Sequence, residues 1–303
     1  MLQRVLTFGL FLTIAVIVVF NFKPILSFGR ANQIEQSAKK AIEAHNWEKG
    51  IQLYEEGAKQ FPENNNIANR LAWLYRQNGQ PQKAEAIYRA ILKREPGHQD
   101  ARLGLAGILK NDPKRINEAV TELRKALKEH PKDPRLLAAI GNVYQAAAEN
   151  PAEKREDIQK WLYSQARYYY QQSLKLNARQ FQPLFNLGIG YQNTGDNTAA
   201  AKAYCQALGL RPDSYEARYN LGLVLSDLNF QDESYRQMER SIKILSDRNE
   251  MAVAQDLAMQ VQNVKNRIFN SNRQTLGGQA APSFLDKTCL IPSVAESPTA
   301  ASH

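Results

Sequence analysis

Large apolar and small residues recur along the chain as paired stripes. Across residues 181–214, Leu184, Leu187, Gly188 and Tyr191 are spaced three, one and three apart, so they share one face of a helix. Gly195 and Asp196 break the pattern. Ala200, Tyr204, Ala207 and Leu208 then open a second stripe at i, i+4, i+7 and i+8, which Pro212 ends. Two short helices joined by a tight turn are predicted. Gly188, Ala200 and Ala207 leave room for close contact, with Tyr191 and Tyr204 as large knobs, and neither helix can bury its stripe alone.

The same stripes recur in register. Pro62, Pro96, Pro131 and Pro212 each follow a small residue by twelve positions, namely Gly50, Ala84, Ala119 and Ala200. The first copy has Tyr54 and Gly57 on its second helix and a weak first helix at Ile34, Ser37 and Ala38. The second carries Leu71, Ala72, Tyr75, Ala84 and Tyr88. The third carries Leu105, Ala106, Leu109, Leu123 and Ala126, with one extra residue near Asp112 and Pro113. In the fourth, Tyr144 to Ala166 spans 22 positions where Tyr191 to Ala200 spans nine, so thirteen residues are inserted. Asn150, Pro151 and Glu153 read there as an N-cap, a first-turn proline and a capping-box acid, and predict a second helix extended backwards to about 25 residues. A degenerate sixth copy with Leu221, Gly222, Leu225 and Met238 is followed by one more amphipathic stripe from Met251 to Ile268.

A 34-residue helix–turn–helix unit with a large residue, Leu, Gly and Tyr at positions 4, 7, 8 and 11, then Ala, aromatic, Ala and Pro at 20, 24, 27 and 32, resembles the tetratricopeptide repeat. The resemblance covers roughly residues 31–248. It implies an all-α fold, an α-solenoid of about six repeats, with the insertion at 145–165 in repeat four, a capping helix over 249–270 and a disordered tail over 271–303 rich in Gln, Gly, Ala, Ser, Thr and Pro.

Val5 to Phe22 is an 18-residue run without charge, preceded by Arg4 and followed by Lys23 and Pro24. At the α-helical rise it spans roughly 27 Å, so residues 1–30 read as a transmembrane anchor and linker, favoured over a cleavable signal peptide. Flanking charges nearly tie, with a lean to repeats on the extracytoplasmic side. The net charge of +9 is concentrated in the middle repeats, where residues 65–98 carry +4 and 99–132 carry +3, interleaved with acids. That pattern reads as a solvated, mildly basic surface rather than a nucleic-acid site.

No phosphate loop, HExxH, GxSxG or calcium-loop pattern occurs, so neither an enzyme nor a small-molecule substrate is indicated, and no cofactor or metal. Cys205 and Cys289 lie far apart without metal spacing, no disulfide framework is indicated, and Cys205 reads as a small packing residue. The repeat resemblance supplies instead a groove lined by first helices, whose positions 2, 5, 6, 9, 12 and 13 tend to face a peptide. Carried over, these give Asn69, Arg70, Trp73 and Arg76 in repeat two, Phe185, Asn186, Ile189 and Asn193 in repeat five, and Tyr219 and Asn220 in repeat six. Lys110, Arg135 and Asn142 stand at groove positions of repeats three and four. Amides suit an extended main chain, and the arginines suit acidic side chains or a carboxylate. Trp161 and Tyr169 of the inserted helix form a second candidate surface. The expected function is a membrane-tethered, non-enzymatic scaffold or adaptor for a protein or peptide partner, with assembly of a membrane complex as a candidate setting. The competing readings are a nucleic-acid-binding solenoid using repeats two to four and a regulatory subunit of an envelope enzyme.

Overall fold

The computed structural model describes residues 29–271, and all of its regular structure there is helical. The anchor expected at 5–22 and most of the tail expected at 271–303 lie outside the described residues. Among those described, no helix is long and apolar enough to cross a membrane. The chain divides into two units, the first ending at Leu109 and the second starting at Lys110. The first holds α1 (29–43), α2 (Trp47–Gln60), α3 (Asn65–Gln77), α4 (Pro81–Arg94) and α5 (Gln99–Leu109). The second begins with a 3₁₀ turn, Pro113–Arg115. It continues with α6 (Ile116–Glu129), α7 (Pro134–Ala148), α8 (Glu156–Leu176), α9 (Phe181–Gln192), α10 (Asn197–Leu210), α11 (Tyr215–Asp227), α12 (Gln231–Asp247) and α13 (Met251–Ser271).

Local sequence fixes the helix starts. Asn46, Asn64, Asp133, Asp196 and Ser214 each turn a side-chain oxygen onto a backbone N–H of the first turn of α2, α3, α7, α10 and α11. Such caps satisfy donors that a helix start leaves open, each worth about 1 kcal/mol. The turn between paired helices has one recurring constraint. Position 15 of the 34-residue register is left-handed in four repeats, at His45, Gly79, Gly195 and Asn229 with φ of 57°, 70°, 83° and 65°. The equivalent residue in repeat three is Pro113, whose ring holds φ negative. There the turn is rebuilt as the 3₁₀ segment, with Asp112 capping it and one extra residue accommodated.

Paired helices close by seating a large side chain of the second on a bare backbone of the first. A Cβ at Gly141 would lie 2.6 Å from Tyr170 Cε1, one at Gly188 2.5 Å from Tyr204 Cε1, and one at Gly222 2.6 Å from Met238 Cγ. Tyr170, Tyr204 and Met238 are consequently fully buried. In the first unit Tyr88 of α4 sits against Gly104 of α5 in the same manner.

Repeat four departs from the sequence expectation. The second helix is extended, α8 having 21 residues where α10 has 14, but it starts at Glu156 and falls short of the expected length of about 25: α7 runs to Ala148 and residues 149–155 form a turn. Asn150 Oδ1 accepts from Ala152 N, closing a local turn rather than capping the helix. Glu153 accepts from the Arg155 amide and guanidinium, so it serves as an anchor for the residue that precedes α8. Cys205 is buried in the core around Tyr204 and Leu221, as expected of a small packing residue, but is disulfide-bonded rather than a free thiol. The other cysteine of the sequence, Cys289, lies outside the described residues. At the far end α13 lays Ala254, Leu257, Val261 and Val264 on Met238 and Leu245 of α12, with Tyr219 of α11 packed alongside.

The glycine seats give a paired stability test. Gly188→Ala should lower the melting temperature, with a loss of about 1–3 kcal/mol from overpacking against Tyr204. Gly209→Ala on the open side of α10, where a Cβ meets nothing within 4 Å, should raise stability by about 0.5–1 kcal/mol through helix propensity. Circular-dichroism melts of both variants check the signs.

Candidate functional site

The first unit brings four of the expected groove residues together on α3. Asn69, Arg70, Trp73 and Arg76 recur at helical spacing and line two cavities on either side of that helix. One, about 440 Å³, lies between α1 and α3 and is bounded by Glu35, Lys39, Glu43, Tyr54, Arg70 and Trp73. The other, about 300 Å³, lies between α3 and α5 and is bounded by Asn69, Arg70, Trp73, Arg76, Tyr88 and Asp100. Among the described residues no ion pair or hydrogen bond is formed by the guanidinium of Arg70 or Arg76. Arg70 is exposed beside the Tyr54 ring, and Arg76 Nη1 rests where a Cβ of Gly107 would be, 2.5 Å away. Asn69 Oδ1 is buried with no hydrogen-bond partner. A buried acceptor in that state costs about 1–3 kcal/mol until a donor meets it. The Trp73 ring is half-buried and stands 6.3 Å from Trp47, so α3 offers an apolar plate between two cations.

The second unit treats its amides differently. Asn186 is only 8% exposed. Its Nδ2 donates to Asn142 Oδ1 at 2.9 Å and to the Tyr170 hydroxyl at 3.1 Å, and its Oδ1 accepts from Gln182 Nε2 at 2.9 Å. Tyr170 in turn donates within reach of Asn142 Oδ1 and Gln145 Oε1, at 2.9 and 2.8 Å, and Gln145 Nε2 donates to Glu149. Burial pushes the Tyr170 phenol far up, with the Asn186 hydrogen bond opposing the rise. The network joins α7, α8 and α9 from within. The next repeat does the same, since the Tyr204 hydroxyl donates to Gln192 Oε1 at 2.9 Å and has the Asn220 amide as a donor.

These repeat-to-repeat correspondences agree with comparison to known proteins. Models of the tetratricopeptide repeat match residues 36–98, 76–143 and 185–229, which together span 153 of the 303 residues. The chain is a tetratricopeptide-repeat protein. The human protein O-mannosyl-transferase TMTC1 is similar, 28% identical over 180 residues that make up 58% of this chain and 19% of that protein. The photosystem I assembly protein Ycf3 of Prochlorococcus marinus (strain NATL1A) is 38% identical over 65 residues, 20% of this chain and 38% of its own. The chain thus spans well under half the length of these curated relatives. Among solved structures, PilW, a type IV pilus biogenesis factor, superposes with a TM-score of 0.59 at 15% identity, covering 69% of this chain and 91% of that one.

The remaining predicted residues of this tetratricopeptide-repeat protein are mostly engaged locally. Arg135 is paired with Asp133, Nη2 to Oδ2 at 2.9 Å, and folds back on the α7 cap. Asn193 is exposed at the end of α9 and donates to Ile189 O at 3.0 Å. Ile189 packs against the core around Tyr204 and Leu221. Phe185 stacks on Phe181 at 5.9 Å and tilts onto Tyr204, bordering a cavity of about 370 Å³ that Arg211, Asp213 and Arg248 also line. The Tyr219 hydroxyl donates to Gln260 on α13 at 3.1 Å. Lys110 is half-buried where the second unit begins. Trp161 is 55% exposed, whereas Tyr169 is half-buried against Tyr144. Sequence reasoning missed Lys39, which falls in the weakest helix stripe, and read Tyr144 only as a register residue. No group of three or more His, Cys, Asp or Glu side chains capable of holding a metal occurs among the described residues.

Asn186→Ala should therefore cost about 1–3 kcal/mol of folding stability, because Tyr170 and Asn142 lose a buried partner. The pH dependence has a definite sign. With folded pKa values raised above the ordinary tyrosine value near 10, Tyr170 and Tyr204 contribute stability that is whole below about pH 10 and is lost as pH rises above it. Alkaline melts read by tyrosinate absorbance should show the buried phenols ionising only with unfolding, at lower pH in the variant.

Proposed function

We propose that the chain is a non-enzymatic scaffold that holds an extended, acidic segment of a partner protein along α3, between α1 and α5. The observation that carries this reading is the pair Arg70 and Arg76, both without a carboxylate partner among the described residues and set on either side of Trp73. A carboxylate satisfies a guanidinium in charge-assisted fashion. The naming of Ycf3 and PilW for assembly and biogenesis supports a role in building a complex, which we extend to this chain.

The second part of the proposal is a membrane tether. Residues 5–22 are long and apolar enough to serve as one, and the flanking charges lean towards repeats on the extracytoplasmic side. Carbonate washing of membranes should leave the full-length chain in the pellet; its release would remove the tether.

The groove is tested with short acidic, neutral and basic fluorescent peptides titrated into the full-length chain. Acidic peptides should bind best and more weakly as salt rises. Arg70→Glu with Arg76→Glu should weaken them at least about ten-fold, roughly 1.4 kcal/mol, with the melting temperature unchanged. Equal affinity in the variant would overturn the assignment.

A further inference from the structure

A row of aromatic rings on α7 and α8 carries a separate inference, beyond the α3 groove. Tyr144 and Tyr169 are stacked, with centroids 5.7 Å apart at 15°. Trp161 stands edge-on to Tyr144 at 6.2 Å and 89°, and Tyr168 edge-on to Tyr169 at 5.2 Å and 85°. Two parallel rings are therefore flanked, one on each side, by a ring nearly perpendicular to them. Trp161 and Tyr168 are 55% and 53% exposed, although aromatic area of this size is ordinarily buried in cores or interfaces. Neither the indole N–H of Trp161 nor the hydroxyl of Tyr168 has a hydrogen-bond partner among the described residues. Arg124 of α6 reaches the row, donating from Nη2 to the Tyr169 hydroxyl at 3.5 Å, and has no carboxylate partner among the described residues.

We propose that this row docks a proline-rich segment of a partner protein, flanked by an acidic residue that meets Arg124. Flat pyrrolidine rings pack on aromatic faces and into the angles between perpendicular rings. A polyproline II segment has little conformational entropy to lose, and its carbonyls have no internal partner. Those carbonyls are acceptors, and the open polar atoms of Trp161 and Tyr168 are donors. The unpaired guanidinium supplies the complementary charge. Single-stranded nucleic acid fits less well. It needs ring faces open to bases and several unpaired cations for the backbone. Here Tyr144 and Tyr169 cover each other, while Lys125, Arg155 and Lys160 are paired with Glu122, Glu153 and Glu156.

The test titrates a fluorescein-labelled polyproline peptide ending in two glutamates into the full-length chain, read by anisotropy. Binding should weaken at least about ten-fold with Trp161→Ala and Tyr168→Ala together, and several-fold with Arg124→Gln. An alanine-for-proline version of the peptide should bind at least about ten-fold more weakly. Both rings are exposed, so thermal unfolding of the ring variant should be unchanged, and Arg70→Glu with Arg76→Glu should leave this probe's affinity unaltered. Failure of the proline peptide to bind, binding indifferent to the ring substitutions, or tighter ring-dependent binding of an oligothymidylate each overturns the proposal.

Discussion

Repeats four to six depend on a close approach: a large side chain on the second helix lies over a backbone position with no Cβ on the first. Gly141 under Tyr170, Gly188 under Tyr204 and Gly222 under Met238 are the clearest instances. Burying a tyrosine this way creates a second requirement, because a phenol removed from water must keep a hydrogen-bond partner. Glutamines on the same repeat and the position-6 asparagines of the next supply it at Tyr170 and Tyr204. In the first unit the position-6 residue after Tyr54 is Arg70, which faces that phenol as a charge and stays exposed.

That difference separates the two units chemically. Where an asparagine closes the seat, its amide is turned inward and unavailable to a ligand. Where an arginine stands instead, cationic capacity remains at the surface, beside Trp73 and a second free guanidinium on Arg76. Six other basic groups, Arg89, Arg115, Lys125, Arg135, Lys160 and Arg248, are each ion-paired with a nearby acid. Exposed pairs of this kind add little to stability, yet they cancel charge that a polyanion would otherwise meet. A few unpaired cations next to aromatic plates suit polypeptide segments with scattered acids.

The helical register was legible in sequence because glycine, alanine and tyrosine recur at fixed offsets, with Gly188 readable as a position that leaves room and Tyr204 as a large knob. The four residues of α3 were also legible as neighbours by their helical spacing. What sequence could not show was which amides face inward. Asn69 and Asn186 differ by a single register position, and one has an unpaired oxygen while the other is fully engaged. The turn in repeat four was misread because Asn-Pro-x-Glu satisfies a helix-start pattern, while Glu153 instead pairs with Arg155 in the turn before α8. The clustering of Tyr144 with Trp161 depends on how α7 and α8 cross, which no local pattern encodes.

The central claim is that α3 is the partner-holding face. Its most direct measurement is site-specific photocrosslinking in cells that produce the full-length chain, with a benzophenone amino acid replacing Trp73 and, for comparison, replacing Asn193. Mass spectrometry of the adducts should map those from position 73 to a segment rich in Asp and Glu, and they should vanish with Arg70→Glu and Arg76→Glu. Adducts from position 193 alone, or adducts from position 73 to basic segments that persist in the arginine variant, would contradict the account.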